Sequence, residues 1–453
     1  MNRDGVGVAL GAGPAGWWRL GAQGTTLRRE LQAGVTTFVT MAYIVVLNPA
    51  ILAPTGVAQA DLLWATVIAA VVGTLMMALW ANLPIALAPG MGSNVLFAQV
   101  LVGKMGVSWQ IGMAMLLFNG VLFFLIAMTR WRQRIVEGFP EPIKLGMGMS
   151  IGGFIAWLGL CNAGLIQPSV EGGWAWRQWD QPATLLALGG ILAMPLLRGV
   201  GVPCALLVGI VAVSLAGLWV SGADGAPLTA TPDVLLALPP FNPEMLLAFD
   251  LAVFFGHFLV LLPVTLYFLI SEFFSGTATL FAVTRRAGLQ GPDGQVPNAR
   301  AAFSSDALAT VVGALVGTTT VTAYVESVAG VEAGGRTGLT ALVVAALLAL
   351  SVLFWPLIRC VPPQATAGVL VMVGASMLAQ VRELDRGAPE NTLSPLLMLV
   401  VTLASGDLMV GMAFGCFLYT SIVLARRQWH RLTTVLLGLD GVFAFYLWVK
   451  DTL

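Results

Sequence analysis

Charge is what this chain has least of. Only 10% of its 453 residues are Asp, Glu, Lys or Arg, against 58% hydrophobic residues, which excludes a water-soluble globule with a polar surface. Lys plus Arg equals Asp plus Glu at 22 each, so no basic excess points to nucleic acid as a partner. Histidine is scarcer still. The two, His257 and His430, lie far apart, one in an apolar run and one in a basic loop, which removes the histidine pair that a metal site would need. The four cysteines, Cys161, Cys204, Cys360 and Cys416, include no Cys-x-x-Cys pair and read as small packing side chains. No nucleophile–base pair suggests an enzyme, no ring-forming motif suggests a channel, and no cofactor or metal is expected. The polar N-terminus, with Arg3, Arg19, Arg28 and Arg29, lacks the compact layout of a signal peptide. The first membrane helix is therefore expected to direct insertion.

What the chain does have is apolar sequence in blocks of bilayer length, about 20 residues each. They fall at 33–53, 61–83, 109–129, 141–165, 182–198, 201–220, 252–283, 302–317, 337–358, 362–380, 392–404 and 406–425. Two more, 84–103 and 318–334, are interrupted by Pro, Gly and polar residues. Together they predict an all-α polytopic protein of about fourteen membrane passages. A last apolar run, 433–449, is short and aromatic and reads as an interfacial or partly inserted tail. Basic residues such as Arg130, Arg132, Arg134, Arg285, Arg286, Arg426, Arg427 and Arg431 collect on the side of the N-terminus, and Glu171, Asp180, Asp224, Asp233 and Glu244 on the other. The positive-inside rule then makes the N-terminus cytoplasmic.

The two interrupted passages are the third and the tenth, so each is third in a set of seven. Because seven is odd, the second set is inverted relative to the first. Paired broken segments in matching positions are the sequence mark of a secondary transporter's midplane site, and non-helical backbone at that depth must be buried in protein or line a cavity. Glu326 lies in the second of them. A carboxylate there costs about 2.5–3.5 kcal/mol on insertion scales, which makes it a candidate to handle an ion or substrate. The eighth passage carries a second acid, Glu272, with Ser275 and Thr279 at helical spacing. Asn94 follows Pro89-Gly90-Met91-Gly92-Ser93, where glycine permits close backbone approach; it also reads as a helix cap. His257 reads mainly as a histidine bonded to a neighbouring helix, Arg336 as an anchor, and Asp306 and Asp407 as helix-end acids.

Three segments, TTFVTMAYIVVLNP at 36–49, APGMGSN at 88–94 and YVESVAGVEAGGRTGLT at 324–340, resemble the AzgA-like adenine, guanine and hypoxanthine permeases, a branch of the nucleobase-cation symporters with the uracil-permease fold. The likeness runs from about Leu27 to Arg427. It implies a seven-plus-seven inverted repeat behind a cytoplasmic N-terminal segment at 1–32. The core domain would take 33–130 and 250–358, the gate domain 141–221 and 362–426, and 433–449 would form the tail. It also implies proton-coupled import of purine bases across a bacterial inner membrane, with Na⁺ as the alternative coupling ion and a homodimer through the gate. The implied substrate ligands are Asn94, Ser93, Glu272, Ser275, Glu326 and the backbone at Val325, with Glu272 and Glu326 taking up the proton. One position departs from the pattern: where these permeases read acid-x-Phe-Asp-Thr, this chain reads Glu272-Phe273-Phe274-Ser275-Gly276. The rival expectation is an anion carrier for sulfate, bicarbonate or a carboxylate. Glu326 counts against it, since an ionised acid repels an anion.

Overall fold

The structure, a computed structural model, describes residues 18–129, 139–168, 174–177, 179–202, 204–222, 225–291 and 294–450. Arg3, Arg130, Arg132, Arg134, Glu171 and Asp224 of the sequence reading lie outside the described residues.

The first passage opens at Thr26, whose hydroxyl accepts the Arg29 amide, a side-chain cap of the kind that satisfies an orphan N–H at a helix start. It runs as α1 (Leu27–Met41) and α2 (Tyr43–Leu52) and ends in a turn closed by Gly56 at φ 81°, where glycine takes the left-handed conformation without penalty. Next, α3 (Gln59–Met76) widens into a π-helical turn, Met77–Ala81. The third passage is a strand and a half-helix: β1 (Leu87–Pro89), then α4 (Met91–Val95), continued as the π-helical run Leu96–Lys104. After α5 (Trp109–Met128) come α6 (Glu141–Asn162), the hairpin β2 (Ile166–Pro168) and β3 (Trp174–Trp176), α7 (Pro182–Gly199) and α8 (Ala205–Ala216).

The order then repeats. A short α9 (Leu251–Gly256) leads into α10 (Phe258–Arg286) and α11 (Ala299–Val316), and the tenth passage is again strand then half-helix, β4 (Val321–Ala323) and α12 (Ser327–Glu332). The remainder is α13 (Gly338–Ser351), α14 (Trp355–Arg359), α15 (Pro363–Leu378), α16 (Pro389–Ser405), α17 (Leu408–Ala425) and α18 (Thr434–Lys450). Among the described residues nine helices are long and apolar enough to cross a bilayer; the other passages are shorter or broken.

Two copies of one motif related by inversion run in opposite directions where they meet. Accordingly β1 and β4 pair antiparallel, Leu87 opposite Ala323, Ala88 opposite Thr322 and Pro89 opposite Val321. Around this crossing α11 packs on α3 and α5, and α13 on α1 and α3. A second group forms where α6 packs on α15 and α16, and α16 on α17. Glycine sets the closest of these approaches: a Cβ on Gly374 of α15 would lie 2.6 Å from the Ala156 amide nitrogen of α6, so small residues let the two backbones touch.

The run 433–449 folds as α18, which turns back along α17 and also meets α10. Thr420 donates to Asp440 at 2.6 Å near one end of α17, and Tyr446 donates at 3.3 Å to Asp407, which caps the other end.

Candidate functional site

In a bilayer every backbone polar group needs an internal partner, and the crossing strands show how each is met. Between them, Gly90 N–H donates to Thr320 O and Tyr324 N–H to Ala86 O, both at 2.9 Å. The outer edges are met by side chains. On α3, Thr74 Oγ1 accepts the Leu87 amide at 2.9 Å and lies 3.0 Å from the Leu87 carbonyl. On α11, Thr310 Oγ1 accepts the Val321 amide at 3.1 Å and lies 3.0 Å from the Val321 carbonyl. The second and ninth passages, α3 and α11, thus hold matching strands with the same residue. Asp306, one turn before Thr310, adds a bond from the Ala323 amide at 2.9 Å.

Both candidate acids attach to this crossing. Glu272, 2% exposed on α10, accepts the Thr310 hydroxyl on Oε1, and its Oε2 is buried without a partner among the described residues. Glu326 lies three residues past the end of β4, at the helical residue that opens α12. Its Oε1 accepts the hydroxyl of Tyr43, a fully buried residue at the start of α2. Between β4 and this acid, Val325 is 56% exposed, so the turn offers its face outward while the strand behind it is buried. The loop after α12 is fixed from behind. Glu30 on α1 is fully buried and accepts the amides of Arg336, Thr337 and Thr340 at 2.8, 3.3 and 3.2 Å, and Arg336 returns its guanidinium to Val331 O and Gly335 O at 2.7 Å.

The other expected ligands are placed differently. Asn94 is fully buried in the first turn of α4, and Gly90, not Asn94, caps that helix. The Asn94 amide donates to Asn48 Oδ1, and Asn48 donates in turn to Thr66 at 2.7 Å and Thr318 at 3.2 Å. Asn94 Oδ1 has no partner among the described residues. Ser93 is half-buried on α4. Ser275 is exposed, whereas Glu272 three positions earlier is buried, so the two do not share one contact. Beside them Gly276 is buried where any Cβ would run into the Asp306 carboxylate.

His257 is exposed at the break between α9 and α10, its Nδ1 3.1 Å from the Val253 carbonyl of the preceding turn, and it is not brought to Glu272. Asp306 is not a helix-end acid but a buried clamp on β4, and Arg336 caps the end of α12. Asp407 does begin a helix, accepting the amides of Met409 and Val410 at 2.9 and 3.3 Å. The four cysteines are unpaired, and among the described residues no group of three or more His, Cys, Asp or Glu could hold a metal.

The sequence reading missed Tyr43, Asn48, Thr74 and Thr310. Asn48 and Thr74 carried one usable signal, a polar residue within an apolar run; for Tyr43 and Thr310 only the fold reveals the partner.

The Permease family model (Xan_ur_permease) matches residues 28–410. The adenine permease AdeQ of Escherichia coli is 34% identical over 442 residues, 96% of each chain. The guanine/hypoxanthine permease PbuO of Bacillus subtilis is 34% identical over 95% of this chain and 100% of its own. A putative permease of Methanocaldococcus jannaschii is 36% identical over 93% and 95%. Among solved structures, the transmembrane domain of the cyanobacterial bicarbonate transporter BicA superposes with a TM-score of 0.64 at 16% identity, covering 85% of this chain and 97% of that one. SLC26A9 gives 0.63 at 11% identity, covering 88% and 66%. These two show a shared inverted-repeat fold. The chain therefore belongs to the permease family as a multi-pass membrane transport protein, not an enzyme.

Proposed function

We propose that the protein imports purine nucleobases by proton symport. The observation that carries this reading is the pair of carboxylates, Glu272 and Glu326, held beside the antiparallel strand crossing by Thr310 and Tyr43. A purine is flat and mostly uncharged. Its N–H edge suits a carboxylate acceptor, and its carbonyl and ring-nitrogen acceptors suit backbone N–H groups near the exposed Val325 turn. The family relatives named as adenine and guanine/hypoxanthine permeases support the same substrate class.

In this proposal Glu326 and the backbone at Val325 bind the base, and Glu272 and Glu326 take up the proton; Ser275 and Ser93 line the approach. Asn94 acts from behind, through Asn48. The core domain (33–130 and 250–358) holds the site, and the gate domain (141–221 and 362–426) moves against it. The helix packing supports that division, since α3, α5, α11 and α13 form one group and α6, α15, α16 and α17 another. The N-terminus lies in the cytoplasm of a bacterial-type cell, and a homodimer forms through the gate helices.

A binding test separates a base from an anion. Hypoxanthine, guanine or adenine should raise the melting temperature of the purified protein, because a ligand bound only by the native state stabilises it. Sulfate and bicarbonate should do no better than chloride. A shift with sulfate and none with any purine would replace the proposed substrate while leaving the fold intact.

A further inference from the structure

One hydroxyl hydrogen faces two acceptors at Thr310. Its oxygen accepts the Val321 amide at 3.1 Å, and its hydrogen can point either to Glu272 Oε1 or to the Val321 carbonyl, 3.0 Å away. A hydroxyl has one donor and two acceptor lone pairs, so the state of Glu272 decides which way it points. With Glu272 ionised, the hydroxyl donates to the carboxylate and the Val321 carbonyl loses that donor. When Glu272 takes a proton from solvent, a new O–H bond forms on the carboxyl and can donate to Thr310 Oγ1. The Thr310 hydrogen then turns to Val321 O, so the Thr310 hydroxyl and both Val321 backbone groups keep a partner.

The first repeat supplies the internal control. Thr74 makes the same two contacts to Leu87 at 2.9 and 3.0 Å, and among the described residues no carboxylate is bonded to it. The hydroxyl clamp is common to both halves, while the acid has been added to one.

We propose that Thr310 is a positioning residue that links the protonation state of Glu272 to the strand β4 leading into the substrate turn. This rests on the reading of Glu272 as the proton site. The charges around Glu272 are few. Of the elements packed on α10, α4, α5, α9 and β4 carry no charged side chain. From α11 comes buried Asp306, held by the Ala323 amide, and an exposed Arg300. The turn into α12 brings Glu326, bonded to Tyr43, and the last residue of α12 is Glu332, paired with Arg286 at 2.6 Å. From α18 comes Asp440, bonded to Thr420.

The test compares Thr310→Val, Thr310→Ser and Thr74→Val in proteoliposomes, reading hypoxanthine uptake against pH and melting temperature. Both valine variants lose a strand clamp and should melt lower. Only Thr310→Val should move the pH midpoint of uptake. Losing a donor to the ionised acid favours the protonated form, so the midpoint should rise by about one to two pH units, and Thr310→Ser should restore it. If Thr310→Val melted lower with an unchanged midpoint, or Thr74→Val moved the midpoint equally, Thr310 would be a strand clamp only. A second measurement needs no transport. Infrared titration of the protonated-carboxyl band, assigned to Glu272 by its loss in Glu272→Gln, should show the wild-type midpoint in Thr310→Ser and in Thr74→Val, and a higher midpoint in Thr310→Ala. An unmoved band in Thr310→Ala overturns the link even if the substrate is not a purine, whereas a moved band without hypoxanthine uptake overturns only the purine reading.

Discussion

Replacing Tyr43 by Phe isolates one hydroxyl. The ring stays in place among the buried apolar residues it packs with, and among the described residues the only side-chain bond given up is the one to Glu326 Oε1. With Oε1 occupied by that hydroxyl, Glu326 presents a single oriented oxygen, Oε2, to a base N–H. Without it the carboxylate turns freely at a half-buried position and must be ordered anew at each binding event. Immobilising such a side chain costs roughly 0.5–1.5 kcal/mol, which at about 1.4 kcal/mol per tenfold weakens purine affinity roughly two- to twelvefold. The melting temperature should change little, since water can reach the freed oxygen. Isothermal titration of purified wild-type and variant protein with hypoxanthine reads the effect directly. Equal or tighter binding by Tyr43→Phe would refute the reasoning, because Tyr43 would then be competing with the substrate or unrelated to it.

Other outcomes follow from the same geometry. Glu272→Ala should abolish proton-driven uptake, with the Thr310 hydroxyl turned to the Val321 carbonyl 3.0 Å away; a titration with unchanged base affinity and unchanged uptake would remove α10 from the site. Ser275→Asp should be tolerated, since Ser275 is exposed, and should shift the ranking among purines; a variant that fails to insert would contradict this. Asn94→Ala should lower the melting temperature as well as affinity, because it leaves Asn48 Oδ1 unpaired in a buried network, a cost of about 1–3 kcal/mol. Loss of affinity with full stability would instead mean that Asn94 touches the base. Because α18 runs back along the whole of α17, an alkaline phosphatase fused after residue 453 should be active on the outer side. A fluorescent cytoplasmic reporter at the same place would show that α18 does not cross.

The passages were legible because bilayer length and apolarity are written locally: each span is a run of about 20 residues, and the breaks at Pro84–Asn94 and Thr318–Glu326 stand out by composition. Glu326 and Glu272 were legible for the same reason, as acids where the bilayer penalises them. Their partners were not. Thr310 looks like any threonine in an apolar helix, and its role depends on β4 returning beside α11 and on α10 lying across both. Tyr43 is one more aromatic in an apolar run until the tenth passage lands on it. Asp306 sits near the start of its predicted span and so reads as a helix end, although the helix begins earlier, at Ala299, and carries it inside. Glu30 was assigned to the polar segment before the first span because the helix start at Leu27 lies below the apolar run. Ser275 shows the limit of periodicity: residues three apart share a face only within about 60°, and here that angle separates a buried acid from an exposed hydroxyl.

The central claim is a proton-driven purine carrier built on Glu326. Proteoliposomes loaded at neutral pH and diluted into acidic buffer should accumulate labelled hypoxanthine above its external concentration, and collapse of the gradient by a protonophore should release it. Glu326→Gln, folded and inserted, should not accumulate the base, because an amide of the same shape neither releases a proton nor accepts N–H bonds as strongly. Gradient-driven accumulation by Glu326→Gln equal to that of wild type would contradict the account.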